Sequence, residues 1–137
     1  MHAPLFHAKK KIGMRIIVAD GHDNFRHVLV ELMKDDGHDV RAVEHGGELV
    51  QAVKADAPEL ILTHARFADM SALEALEFLT VSGVRVPVIL MSGDVNRIPV
   101  GDARKLGVVQ LLEKPFSVEQ LREAVRAVVD ASALKSA

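Results

Sequence analysis

The 137-residue sequence has no cysteine, no tryptophan and no tyrosine, and its five aromatic residues are all phenylalanine. Without cysteine there is no disulfide scaffold, no thiolate zinc site and no cysteine nucleophile. The phenylalanines (Phe6, Phe25, Phe67, Phe78 and Phe116) are scattered and make no stacking platform for nucleic acid. A net charge of −2 supplies no basic stripe either. No apolar run approaches the ~20 residues of a membrane-spanning helix. Lys9 to Lys11 have no apolar stretch beside them, so residues 1–13 read as a solvated lead-in and not as a secretory signal. These absences predict one soluble, cytoplasmic domain over 14–130, with a short tail at 131–137 and no nucleic-acid or membrane partner.

What is present is strongly patterned. Four short apolar runs have the length and β-branched content of buried strands: Arg15 to Ala19, Leu60 to Thr63, Pro87 to Met91 and Val108 to Leu112. A fifth, Asp39 to Val43, is more polar and suits a sheet edge. Helical periods lie between them. Phe25, Val28, Leu29, Leu32 and Met33 form one stripe, which Gly37 closes and Asp23 is expected to cap. Leu49, Val50 and Val53 mark a helix that must stop before Pro58. Ser71 to Glu74 and Ser117 to Gln120 are capping boxes. The first opens a helix with Leu73, Leu76 and Leu79 or Val81 inward. The second opens a helix with the stripe Val118, Leu121, Val125 and Val128. Pro99 and Gly101 confine the remaining helix to a short piece ending at Gly107.

Strand–helix alternation repeated about five times implies an α/β fold, a parallel sheet covered on both faces. In such sheets the ligand crevice lies at the carboxyl ends of the strands. Those ends carry Asp20, His64, Ser92 and Lys114.

Four segments then combine. Ile16 to Asp20 is followed by Arg26; Pro58 to His64, Pro87 to Gly93 and Leu112 to Ser117 complete the set. In order and spacing the chain resembles the receiver domain of two-component response regulators over roughly 14–129. A generic flavodoxin-like nucleotide binder would need a glycine-rich phosphate loop, which is missing. The resemblance implies a flavodoxin-like (CheY-like) doubly wound, five-stranded parallel sheet in the order 2-1-3-4-5. It also implies a phosphorelay role, with a phosphoryl group passing from a kinase histidine to an aspartate ending the third strand. Two acids after the first strand would hold Mg²⁺, a hard cation that takes oxygen ligands. A histidine kinase or other signalling protein would be the partner, and a homodimer is compatible with the family.

Carried over position by position, the site is a remnant. Asp20 matches the first acid, but Gly21 replaces the second. His64 stands at the phosphoacceptor, Arg66 at the position whose carbonyl completes the metal site, Ser92 at the hydroxyl and Lys114 at the lysine. Pro115 matches a proline that commonly follows a cis peptide. The switch aromatic is Leu111, and Phe67-Ala68 and Ser71-Ala72 replace the family's Met-Pro and Asp-Gly. Asp20 is therefore expected to pair with Lys114 and Mg²⁺ to bind weakly or not at all.

His64 reads in three ways: a drifted strand-end residue, a titrating contact near neutrality, or a centre for phosphohistidine or metal chemistry. The other histidines (His2, His7, His22, His27, His38 and His45) form no recognisable cluster. Rescue of phosphate acceptance would fall to Asp69 or Asp23, since Glu59 precedes its strand. The Arg66 guanidinium offers one way to fill the metal position. The sequence thus favours a phosphorylation-independent interaction module, with no catalytic residue and no cofactor. It would act as a stand-alone regulator or as a piece of a larger protein. The competing readings are a phosphoacceptor using another residue and a pH or metal sensor built on His64.

Overall fold

The computed structural model describes residues 13–136; Lys9 to Lys11, His2 and His7 lie outside that range. The chain runs β1 (Arg15–Ala19), α1 (Asp23–Asp35), β2 (Asp39–Val43), α2 (Gly46–Ala55), β3 (Leu60–His64), α3 (Ala72–Val81) and β4 (Val88–Ser92). A single 3-10 turn (Val95–Arg97), α4 (Val100–Lys105), β5 (Val108–Glu113) and α5 (Val118–Ser136) follow. All strands are parallel in the order β2-β1-β3-β4-β5. The order reverses between β1 and β3, so the crevice predicted for such sheets opens between Asp20 and His64.

Alternation along each strand builds two cores. Ile16, Val18, Leu60, Leu62, Ile89 and Met91 pack with Leu29 and Met33 of α1 and Leu121, Val125 and Val128 of α5. Ile17, Ala19, Ile61, Val88 and Leu90 face Leu49 and Val53 of α2, Leu76 and Leu79 of α3 and Ala103 of α4. The central strands are apolar on both faces because both faces are covered. Both expected capping boxes form: Ser71 Oγ accepts from Glu74 N–H at 3.1 Å, and Ser117 Oγ from Gln120 N–H at 3.0 Å. Gly107, at φ 104°, turns α4 into β5 where a Cβ would lie 2.8 Å from the carbonyl of Val86.

Several expectations need correction. Val28 (55% exposed) points outward, and Val118 is also exposed; of the alternatives Leu79 and Val81, Leu79 is the buried one. Helices at a sheet surface bury a narrower stripe than their apolar content suggests. Asp23 is not a cap: His22 holds the N-cap position without a side-chain bond, and Asp23 pairs with Arg26 at 2.7 Å. Residues 131–136 continue α5.

Candidate functional site

Period-two alternation decides which strand-end groups can meet. Asp20 continues the parity of Ile16 and Val18, His64 that of Leu60 and Leu62, and Lys114 that of Leu112. All belong to the α1/α5 side of the sheet. Ser92 instead continues the parity of Val88 and Leu90.

Asp20 is the most constrained of these residues, with 2% of its surface exposed. Its N–H donates to the carbonyl of Val43, and its own carbonyl accepts from Arg26 Nη1 at 2.8 Å. Oδ1 accepts the N–H of His22 at 2.9 Å, closing the turn into α1. Oδ2 has no hydrogen bond and lies 3.6 Å from Lys114 Nζ. That separation is an ion pair too long for a hydrogen bond.

Lys114 is held from two further directions. Its N–H donates to the carbonyl of Ser92 at 2.8 Å, at the step before the cis peptide to Pro115. Its ammonium lies 4.0 Å from the centre of the Phe25 ring, whose edge meets Phe116 with centroids 5.9 Å apart. A cation against an aromatic face is attracted by the ring quadrupole, more strongly where water is excluded. Phe25, read from the sequence as a core residue only, is therefore a site residue. The available signal was its position opening the helix that follows Asp20.

His64 closes β3 half-buried, and its Nδ1 is buried without a hydrogen-bond partner. Burial, then the Lys114 charge, push its pKa below the ordinary imidazole value, while Asp20 acts in the opposite sense. The ring is thus favoured in its neutral form. Thr63 Oγ1 donates to the His64 carbonyl at 2.9 Å.

The other expected site residues lie apart from this group. Ser92 is buried, and its Oγ accepts the N–H of Asp94 at 3.1 Å, ending β4 in its own turn. Arg66 is exposed, bridges to Ser71 through the backbone and makes no ion pair with Asp20, so its guanidinium does not fill the metal position. Leu111 is half-buried against the α4 side. Gly21 is exposed, and a Cβ there would meet only the Glu44 carbonyl at an ordinary 3.6 Å.

The three carboxylates considered as substitute acceptors are engaged elsewhere. Asp69 accepts the N–H groups of Gly46 and Gly47, both at 2.9 Å, and these bonds lower its pKa. Asp23 is paired with Arg26, which lowers its pKa likewise. Glu59 accepts the N–H of Arg15 at 3.0 Å. Among the described residues, no group of three or more His, Asp or Glu side chains is placed to hold a metal ion. No helix among them is long and apolar enough to cross a membrane.

With this geometry in view, the chain matches the family model of the response regulator receiver domain over residues 16–126 and belongs to that family. It is similar to sporulation initiation phosphotransferase F of Bacillus subtilis, 23% identical over 112 residues, covering 82% of this chain and 90% of the relative. It is also similar to the DNA-binding transcriptional regulator NtrC of Proteus hauseri, 27% identical over 103 residues. That match covers 75% of this chain but only 22% of that longer protein. Among solved structures, the receiver domain of a sensor histidine kinase from Pseudomonas aeruginosa, with a magnesium ion coordinated in its cleft, superposes with a TM-score of 0.76. It is 19% identical, and the match covers 86% of this chain and 98% of that one. The protein is a receiver domain of two-component signalling, with the five-stranded sheet of that family.

Proposed function

We propose that this receiver works without phosphate, as an interaction module that docks a histidine kinase or another signalling protein in the bacterial cytoplasm. The observation that carries this reading is the end of β3. An imidazole occupies it, and the buried carboxylate beside it, Asp20, is already in an ion pair with Lys114. An acyl phosphate requires a carboxylate oxygen as nucleophile, which His64 does not have. Mg²⁺ does not fit the donor set either, because it takes oxygen ligands and here has one carboxylate already countered by an ammonium. No step through the metal is available to this site.

The working surface in this reading is the groove between α4 and β5, lined by Val100, Ala103, Arg104, Val109 and Leu111. Its apolar lining with the single cation Arg104 suits a partner that presents apolar groups and a carboxylate. Leu111 would sit there as a fixed packing residue. The test is incubation with Mg²⁺ and a small acyl-phosphate donor, followed by intact-mass measurement. No adduct is expected, and a stable phosphoryl adduct on any residue defeats the proposal.

The unpartnered Nδ1 of His64 favours a second reading, a contact that responds to protonation or to a soft metal such as Zn²⁺. It requires a change in partner affinity or melting temperature with pH or Zn²⁺ that His64→Ala removes. A response surviving that substitution assigns it to another group.

A further inference from the structure

At the amino end of the strands, the turn after α1 and the middle of α5 enclose an open cleft of about 390 Å³. It is lined by Asp36, His38, Arg122, Val125, Arg126 and Val129. Small-molecule sites begin at roughly 300 Å³, so the space suits a small ligand and not a large cofactor. None of these residues belongs to the crevice around Asp20 and His64.

The polar groups of this cleft are set in advance. Arg122 Nε donates to Asp36 Oδ2 at 2.8 Å, tying α5 to the turn that follows α1. That bond orients the guanidinium and leaves its two Nη groups to donate elsewhere. His38 Nδ1 accepts the Met14 N–H at 2.9 Å, so the neutral ring carries its hydrogen on Nε2 and has that donor left to offer. The chain passes close by the ring at Gly13, where a Cβ would overlap it. Arg126, one turn after Arg122, is exposed and has no ion-pair partner among the described residues. Val125, buried, and Val129, half-buried, add an apolar wall. Donors ordered before binding lose little entropy when a ligand takes them.

The charges of the lining decide the ligand. Burial favours the neutral His38 ring, so two guanidiniums stand against the one carboxylate of Asp36. A single positive charge is left over. A monoanion balances it, whereas a dianion would face Asp36 with charge to spare. Guanidinium forks match a carboxylate through two parallel N–H···O bonds, and the two valines offer contact to hydrocarbon. We propose that this cleft binds a small organic carboxylate with an apolar body. Arg126, the free Nη groups of Arg122 and the His38 Nε2–H hold the carboxylate, and the hydrocarbon lies on Val125 and Val129. Such a site gives the domain a small-molecule input at the end of the sheet away from His64, whether or not the crevice is ever phosphorylated.

The experiment is a titration of the full chain with hexanoate, read from backbone amide shifts by NMR, with hexan-1-ol and inorganic phosphate as comparison probes. The same spectra report that each variant folds. Hexanoate should give saturable shifts centred on residues 36–38 and 122–129, and both comparison probes should bind at least ~10-fold more weakly. Arg126→Gln should weaken hexanoate at least ~10-fold, as loss of a charge-assisted hydrogen bond does. Arg104→Gln, in the groove between α4 and β5, should leave the titration unchanged. A hexanoate titration without saturable shifts overturns the proposal. So does phosphate or hexan-1-ol binding as tightly as hexanoate, or binding that Arg104→Gln abolishes and Arg126→Gln does not.

Discussion

His38 and His64 stand at opposite ends of the sheet, both half-buried and both held below the ordinary imidazole range chiefly by burial. At the amino end of the strands, the Nδ1 of His38 accepts the N–H of Met14 at 2.9 Å. At the carboxyl end, the same atom of His64 is buried and has no hydrogen-bond partner among the described residues. The surroundings follow the same division. Near His38, Arg15 is tied to Glu59 and Asp56, and Arg122 to Asp36. Near His64, Asp20 Oδ2 also lacks a hydrogen bond. Native proteins hydrogen-bond nearly all buried polar atoms, so these two atoms set the carboxyl end of the sheet apart from the amino end.

The largest contrast should come from rebuilding the carboxyl end. Gly21→Asp with His64→Asp returns both missing carboxylates, and the open space at Gly21 accepts a side chain. We expect a single phosphoryl adduct by intact mass where the parent chain gives none. A double variant that folds but stays unmodified would mean the remaining groups, Lys114 and Ser92, no longer support the transfer.

Breaking the ion pair between Asp20 and Lys114 comes next. Lys114→Met leaves Asp20 buried without its counter-charge and should lower the unfolding free energy by about 2–4 kcal/mol in urea titration. Adding Asp20→Asn should recover most of that loss. Equal stability of the single variant and the parent would show the pair to be idle.

At the amino end, His38→Ala strands the Met14 N–H and should cost about 1–3 kcal/mol at pH 8. The sign of the pH effect follows from the depressed pKa. The unfolded chain takes up a proton near ~6.5 while the folded ring resists it. The stability supplied by neutral His38 is therefore full above ~6.5 and is lost as pH falls toward the folded value. Removing His38 should flatten that acid slope in a series of melts, and an unchanged slope would place its origin elsewhere.

The smallest effect belongs to His64→Gln, which gives up no hydrogen bond and should shift stability by less than ~0.5 kcal/mol at pH 8. A penalty as large as that of His38→Ala would show the two histidines to be equivalent structural parts, and the comparison would fail.

The strands were readable because buried parallel strands are apolar on both faces, as in β1, while the more polar β2 falls where an edge strand was expected. Asp20 and Lys114 were legible as a pair through the resemblance to receiver domains, which sets both at the carboxyl end of the sheet with the second acid missing. The contacts made by Phe25 and Asp69 were not. A phenylalanine in an apolar stripe signals burial, and nothing in the spacing says that a lysine from β5 will cover its face. Asp69 bonds to N–H groups 22 and 23 residues earlier in the chain, and backbone donors leave no trace in sequence. His38 was hidden for the same reason, since its partner is the backbone of Met14. Val28 and Val118 misled because composition cannot distinguish an apolar residue that packs from one left bare.

The register between β4 and β5 shifts after Val88, so that Ile89 pairs with Gln110 and Val109 has no opposite number. Val109 is 56% exposed as a result. A bulge of this kind bends and twists the outer strand and breaks its regular row of donors and acceptors. The edge on β5 is thereby a poor template for an added strand, which guards it against edge-to-edge aggregation. Whatever docks there must read side chains, and its specificity will lie in shape and charge instead of in backbone pairing.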